Sequence, residues 1–301
     1  MDRFEAMAMF QTVAQAGSLS EAGRRLGIPL ATVSRRMGDL EARLGARLLI
    51  RGSRKVTLTT AGETYLAAAR RILDDLAEAE RAASGEYAQV QGQLVITAPV
   101  VFGRLHLLPV VTAFLRENPD VDVQLTLADR LLHLQDDHVD LALRIGRLPD
   151  SALIATRIGE VRQVLCAAPS YLAARGEPRD LAALAQHDCI AFTALGQADR
   201  WDFPGAEEAS LTLAPRLSVN TAEAALDAAA DGLGITRVLS YQMERLEAEG
   251  RLRRILTRFE PPPVPIHLVH AAQGLVPRKL RAFLDFAVPR LRARLAPQAQ
   301  A

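Results

Sequence analysis

The stretch SLSEAGRRLGIPLATVSRRMGDLEARL, residues 18–44, decides how the first part of the chain folds. Ser18 followed by Glu21 is a capping-box spacing, in which a hydroxyl and a carboxylate satisfy amides at a helix start, so a helix is predicted from Leu19 to about Leu26. Gly27 closes it. Pro29 suits the first turn of the next helix, because its missing N–H would find no partner there anyway. That helix runs to about Leu44 and stops before Gly45, with Val33, Met37, Leu40 and Leu44 on one face. Two helices joined by a short glycine-containing turn make a helix-turn-helix. The opposite face of the second helix shows Thr32, Ser34, Arg35 and Arg36 near its start, where a recognition helix meets base edges and phosphates in a major groove. A lone arginine pair is ordinarily solvated surface. This one lies on the right element, at the right end.

Upstream, Phe4, Met7, Phe10, Val13 and Ala14 recur at helical spacing, which predicts an amphipathic helix over 2–15. Downstream, 47–51 and 55–59 are β-rich runs around Gly52, Ser53 and Arg54, a hairpin that would serve as a wing. Arg51, Arg54 and Lys55 at its tip are placed to follow the sugar-phosphate backbone; solvated basic tips on a structural hairpin are the alternative for each. With Ser18 and Pro29 at the helix starts, these residues complete the expected DNA-binding set. Charge distribution agrees. The formal net charge is +1, yet residues 1–60 hold ten arginines and lysines against five acids, a net of +5 that leaves −4 for the remainder. Clustered cations on an otherwise acidic body suit a nucleic-acid-facing unit.

From residue 60 to about 87 the sequence is rich in Ala, Leu, Glu and Arg and has no Gly or Pro between 63 and 84, so one long helix is expected. Leu66, Ala69, Leu73, Leu76, Ala79, Glu80 and Ala83 form a narrow stripe suited to pairing with a second copy, as two-fold DNA sites require; packing on its own domain is the alternative. Beyond Gly85, β-rich and helical runs alternate: 93–97, 105–117, 121–127, 131–136, 141–145, 162–167, 189–192, 217–219, 222–231, 234–236 and 266–269, closing with a basic helix over 280–295. That alternation predicts an α/β domain with an open, largely parallel sheet.

Such sheets bind ligands where strands end and helices begin. The expected effector-binding residues are therefore Thr97, Ala98, Pro99 and Val100 at the first join, Arg130 at the second, Arg144, Ile145 and Gly146 at the third, and Phe192 and Thr221 further on. Thr97 and helix-start amides would seat an anion and Arg144 would pair with a carboxylate, so a small organic acid fits. Equally, Thr97 could cap its helix and Arg144 join a surface ion pair.

Other signals are weaker. No basic start leads into an unbroken apolar core, and the longest apolar run, 105–115, is interrupted by His106, Pro109 and Thr112, so neither a secretory leader nor a membrane span is expected and the cytoplasm is the predicted location. Cys166 and Cys189 are far apart in apolar surroundings, which suits buried core thiols rather than a disulfide, a zinc knuckle or a redox pair. His267 and His270 would face opposite sides of a strand and are set aside as a metal pair. Gly232-Leu233-Gly234 follows a helix and lacks a third glycine, so it reads as a helix-to-strand turn rather than a dinucleotide loop. No nucleophile triad or carboxylate pair stands out. No catalytic residue, metal or cofactor is expected, and the chain is read as a regulator rather than an enzyme. A rival reading is a ligand-binding α/β protein whose first helices serve only protein association.

Residues 10–62 as a whole resemble the signature of the LysR-type transcriptional regulators. The resemblance is carried by Phe10-Gln11-Thr12-Val13-Ala14, Gly17-Ser18-Leu19-Ser20-Glu21-Ala22, Leu26-Gly27-Ile28-Pro29 and Thr32-Val33-Ser34-Arg35-Arg36-Met37, continuing through Leu40 to Leu49, Arg51 to Arg54 and Leu58-Thr59-Thr60-Ala61-Gly62. Leu30 and Ala31 depart from it, standing where many members carry Gln or Ser, which shifts base readout to Thr32, Ser34, Arg35 and Arg36. In the second half, Leu107-Leu108-Pro109, Asp140-Leu141-Ala142-Leu143-Arg144 and 229–235 are similar to the family's sensing half. The resemblance implies a winged helix-turn-helix over 1–60, a linker and dimerisation helix over 61–89, and an effector domain over 90–301. That domain resembles a two-lobed periplasmic binding protein, one lobe comprising 90–159 with 265–301 and the other 160–264. It further implies double-stranded operator DNA with dyad symmetry, a small-molecule effector, a homodimer or homotetramer, and RNA polymerase as a partner.

Overall fold

The computed structural model describes residues 2–52, 55–84, 90–129, 139–195, 200–203, 210–271 and 276–296. Met1–Gly92 and Gln93–Ala301 form two compact units.

In the first unit, α1 (Arg3–Ala16), α2 (Leu19–Leu26) and α3 (Leu30–Leu44) surround a core that includes Ala6, Phe10, Val13, Val33, Met37 and Leu40. The helical spacing of apolar residues produces that core, because only one stripe of each helix can be withdrawn from water. Gly27 makes the turn between α2 and α3. It adopts φ 67°, donates to Arg24 O, and lets Ile28 N–H return to Gly23 O at 3.0 Å. Pro29 precedes the first helical residue rather than entering the first turn, and its carbonyl accepts from the Thr32 and Val33 amides at 2.9 and 3.2 Å. Phe4 and Leu44, expected on the inner stripes, are 40% and 41% exposed. Each lies in a terminal turn, outside the closed ring of core side chains.

The hairpin consists of β1 (Leu49–Arg51) and β2 (Val56–Leu58), antiparallel with Ile50 opposite Thr57. Val56 N–H donates to Gly17 O at 2.8 Å, which ties the hairpin to the turn after α1. α4 (Thr60–Ser84) follows. Its start is held by Thr59, whose hydroxyl donates to Arg47 O and accepts from Gly62 N–H. A Cβ at Gly62 would lie 2.1 Å from Leu48 O, so only glycine permits this approach. Leu66 and Ala69 of α4 are buried, and Tyr65 packs on Phe10 with ring centroids 5.4 Å apart.

The second unit holds β3 (Gly92–Ala98), α5 (Val100–Phe102), a wider π-helical turn over Gly103–Leu107, α6 (Leu108–Glu117), β4 (Val121–Leu127), β5 (Leu141–Ile145) and β6 (Leu153–Val161). Next come β7 (Gln163–Ala167), α7 (Pro169–Arg175), β8 (Cys189–Phe192), a small hairpin β9 (Arg200–Asp202) with β10 (Ser210–Thr212), β11 (Leu217–Val219) and α8 (Ala222–Ala230). β12 (Ile235–Leu239), α9 (Ser240–Ala248), β13 (Arg253–Ile255), β14 (Val264–Ala271) and α10 (Arg278–Leu295) complete it.

Among the described residues, the strands other than β9 and β10 form two five-stranded sheets, ordered β4-β3-β5-β14-β6 and β11-β8-β12-β7-β13. The chain leaves the first sheet after β6 and returns to it as β14. This corrects the expectation of one largely parallel sheet. β3 and β5 are parallel, and so are β8 with β11 and β12, but β14 runs antiparallel to β5 and β6, and β7 to β12 and β13. Only Arg162 separates β6 from β7, which leaves no length for a helical crossover. The run expected over 131–136 lies outside the described residues. Gly232 and Gly234 do form a helix-to-strand turn between α8 and β12, and a Cβ at Gly234 would meet Asp188 O at 2.2 Å. Among the described residues no helix is long and apolar enough to cross a membrane.

Candidate DNA-binding face and effector cleft

On α3 the buried side chains are Val33, Met37 and Leu40, so Arg35, two residues beyond Val33, points away from the core and is exposed. Thr32, Ser34 and Arg36 are partly exposed beside it. The wing does not hang free. Glu41 on α3 accepts from the Leu48 and Leu49 amides through one carboxylate oxygen, at 2.8 and 3.0 Å, and from Arg51 Nη2 through the other at 3.1 Å. Arg51 also donates from Nη1 to Ser34 Oγ at 3.2 Å. Two residues expected at the DNA, Ser34 and Arg51, are thus brought into contact by a third that the sequence reading did not single out. Lys55 is exposed, and Gly52 N–H donates to its carbonyl across the wing tip; Arg54 lies outside the described residues. Ser18 accepts from Glu21 N–H at 3.4 Å and caps α2, while Glu21 pairs with Arg24 and Arg25.

The second candidate site lies where the strands of the two sheets end. Thr97 and Ala98 are buried at the end of β3, and Pro99 stands before α5. The Val100 amide, expected to face an anionic ligand, donates instead to Asp129 Oδ1 at 3.0 Å. Thr97 is therefore not the cap of this helix. Arg144 and Ile145 are half-buried at the end of β5, and Gly146 turns away with φ 117° while its N–H donates to Pro265 O. Phe192 is buried at the end of β8. Thr221 caps α8 by accepting from Ala224 N–H at 3.4 Å. Arg130 lies outside the described residues. The helical layers of the two sheets meet through Tyr241 of α9, whose ring is 5.3 Å from Phe102 and 5.5 Å from His106, and through an Arg104–Glu223 ion pair at 3.6 Å. Burial, aided by nearby Arg294, holds the His106 imidazole below its ordinary pKa, and both ring nitrogens are buried without a hydrogen-bond partner.

Residues 4–63 match the bacterial regulatory helix-turn-helix proteins of the lysR family, and residues 88–292 match the LysR substrate binding domain. The chain belongs to the LysR family. An HTH-type transcriptional regulator of Xanthomonas campestris pv. campestris is 34% identical over 94% of this chain and 84% of its own length. CrgA of Neisseria meningitidis serogroup C is 32% identical over 95% and 96%. Among solved structures, CrgA from Neisseria meningitidis matches with a TM-score of 0.61 at 30% identity, covering 97% of this chain and 99% of that one. The full-length Vibrio cholerae virulence activator AphB matches with a TM-score of 0.59 at 28% identity, covering 96% and 99%. As a LysR-type protein, the chain is a DNA-binding transcriptional regulator with an effector-binding domain, not an enzyme, and it forms oligomers.

Within this regulator both cysteines are core residues. Cys166 and Cys189 are buried in β7 and β8, and burial pushes each thiol up to about 12, away from the reactive thiolate. Sequence reasoning places Asp129 at the second join without a role of its own, and passes over Phe102, Arg104, His106, Glu223 and Tyr241. Of these only His106, a polar residue inside an apolar run, carried a signal of its own.

Proposed function

We propose that this LysR-type regulator works in the cytoplasm as a dimer or a dimer of dimers, placing two copies of α3 in successive major grooves of a dyad-symmetric operator. The head spans 1–60 and the linker helix 61–89; the effector domain spans 90–301, with lobes at 90–159 plus 265–301 and at 160–264. Thr32, Ser34, Arg35 and Arg36 read base edges and adjoining phosphates, while Ser18, Pro29, Arg51, Arg54 and Lys55 position the head on the backbone. The stripe on α4 pairs with a second copy. A small molecule seated between the two sheets, near Thr97, Ala98, Pro99, Val100, Arg130, Arg144, Ile145, Gly146, Phe192 and Thr221, shifts the balance between two arrangements of the heads. It can do so only by its difference in affinity for the two. RNA polymerase is the partner through which operator occupancy acts.

The observation that supports the DNA-reading face best is the coupling of Ser34, Arg51 and Glu41, which fixes the wing at a set distance from an outward-facing Arg35. Selection of randomised duplex DNA by the full-length protein, repeated across a salt series, tests the reading. A dyad-symmetric motif, lost in Arg35→Ala, is the expected result. Weak binding without enrichment and without dependence on Arg35 would refute it and favour a protein-association role for the first helices.

A further inference from the structure

The parallel strands β8, β11 and β12 end at the candidate cleft, and where they begin, at the opposite edge of their sheet, lies a cavity of about 350 Å³. It opens between α7, the residues that lead into β8 and β11, and the turn from α8 to β12. Asp188, in its lining, is fixed through its backbone. Its carbonyl accepts from Ile235 N–H at 2.9 Å, and its own N–H donates to the Tyr171 hydroxyl at 2.9 Å, which itself lies 3.1 Å from His187 Nδ1. Two arginines converge on the Asp188 carboxylate. Arg175, at the end of α7, places Nη2 3.7 Å from Oδ2, and Arg216 places Nη1 3.3 Å from the same oxygen. The Arg216 backbone is held in turn, because its N–H donates to Cys189 O at 2.9 Å. Among the described residues neither guanidinium donates a hydrogen bond, so both are paired in charge while their N–H groups are unspent. The second carboxylate of the lining, Asp231, pairs with Arg251 at 3.7 Å, so three arginines meet two carboxylates. Gly232 turns here with φ 82° and brings no side chain into the space, while Ala174 and Leu233 give it an apolar wall.

We propose that this cavity is a second small-molecule site, at the far edge of the sheet from the cleft, and that it takes the phosphoryl group of a small organic phosphate between Arg175 and Arg216. A carboxylate presents two oxygens in one plane and matches the edge of a single guanidinium. A phosphoryl group presents three oxygens around a tetrahedral phosphorus, so it can accept from two guanidiniums that arrive from different elements. Asp188 keeps both arginines in place while the site is empty, and little side-chain freedom is then lost on binding. A cation finds no comparable seat, because each carboxylate already has an arginine beside it. The volume lies toward the small end of ligand pockets, with room for the phosphate and a short carbon chain laid against Ala174 and Leu233. One element touches both places: α8 starts after Thr221, at the cleft, and finishes against Asp231, at the cavity. The assignment does not depend on what the cleft binds.

The test is calorimetry and thermal midpoint on the full-length protein at constant ionic strength. Glycerol 3-phosphate, 3-phosphoglycerate and glucose 6-phosphate are the probes, with inorganic phosphate, glycerol and glucose as references. At least one ester should bind at millimolar concentration or below, raise the wild-type midpoint, and bind more tightly than inorganic phosphate, because its carbon chain covers apolar wall. Glycerol and glucose should leave the protein unmoved. The Arg175 and Arg216 side chains are 54% and 60% exposed, so Arg175→Gln and Arg216→Gln should fold as the wild type does. Each should weaken the ester by about tenfold or more, the worth of one charge-assisted hydrogen bond. Ala174→Phe keeps every charge and fills the space, and it should weaken the ester more than it weakens inorganic phosphate. Four results overturn the proposal. Failure of all three esters to bind leaves only solvated ion pairs at this edge, and ester binding undiminished in both arginine variants puts the ligand elsewhere. Inorganic phosphate binding as tightly as every ester, or Ala174→Phe binding the ester as the wild type does, means that the cavity holds no organic ligand.

Discussion

On α3 the charged groups are turned outward, whereas at the ends of β3 and β4 the polar groups have been turned on one another. Arg35 is exposed and, among the described residues, has no ion-pair partner; Asp129 is half-buried and already holds the Val100 amide. The difference follows from what each region meets. A surface that binds a polyanion leaves cations unspent, because the phosphates and the release of their counterions supply the favourable free energy. A cleft that closes between two sheets must satisfy its own polar groups whenever it is empty, since unpaired polar groups are costly once water is excluded. A ligand of the first kind of site is read from its spare charge. A ligand of the second kind is read from what the empty site has failed to satisfy.

Removing Glu41 should blur this contrast most. Glu41→Ala strips acceptors from two amides and from Arg51, leaving them without their partner behind the recognition helix. A loss of about 3 kcal/mol in local stability is expected. Hydrogen exchange on the full-length protein should show the Leu48 and Leu49 amides exchanging about a hundredfold faster, with β7 unaffected. Equal protection at Leu48 and Leu49 would show that the wing is held by its β pairing alone.

Next in size is the effect of the recognition helix on DNA. Arg35→Ala should cost about 1 to 3 kcal/mol of operator affinity and relax the preferred sequence. Lys55→Ala should instead weaken all sequences alike and lower the salt slope by about one. Band-shift titrations over a salt series distinguish the two patterns, and a uniform loss in both variants would move Arg35 from base edges to phosphates.

The two regions also differ in how far they could be read from sequence. The helix boundaries around Gly27 and Gly45, the wing strands and the outward position of Arg35 all follow from periodicity and caps within about sixty neighbouring residues. Even there Glu41 escaped notice, because a carboxylate on a solvated helix looks like any other until the amides of Leu48 and Leu49 are folded over it. In the second unit the strand-to-helix joins at β3–α5 and β11–α8 follow from the alternation of runs, whereas β5 passes to β6 with no helix between them. Asp129 reaches Val100, and Tyr241 reaches Phe102, across 29 and 139 residues of chain, and no local pattern encodes which distant residue arrives. Mixed sheets were missed for a related reason: strand direction is settled by where the chain crosses between sheets, which periodicity does not record.

A smaller effect should appear with acid. Burial among Phe102 and Tyr241, aided by the charge of Arg294, holds the His106 imidazole below its ordinary pKa in the folded protein, while an unfolded chain takes up the proton below about pH 6.5. Protons then favour the unfolded state, so its contribution to stability is intact above that pH and falls as the pH drops below it, by at most about 1.4 kcal/mol per pH unit. Urea unfolding of wild type and His106→Phe between about pH 7.5 and 5 should show a steeper loss in the wild type. Parallel curves would mean that the His106 side chain reaches solvent in the working protein.

The smallest expected effect separates capping from binding at two residues that serve both regions. Ser18 and Thr221 each accept an amide at a helix start, from Glu21 and Ala224 at 3.4 Å, so their place in a binding site is not needed to explain them. Replacing either by alanine should cost about 1 kcal/mol of stability. Aspartate distinguishes the roles, because it caps as well and adds a charge that the helix start favours. Ser18→Asp should therefore keep the stability of the wild type while lowering operator affinity, since phosphate repels the new carboxylate. Thr221→Asp should keep stability as well, yet change the binding of a ligand seated against the start of α8. If Ser18→Asp binds the operator as the wild type does, Ser18 is a cap and nothing more, and the DNA-binding face begins at Pro29.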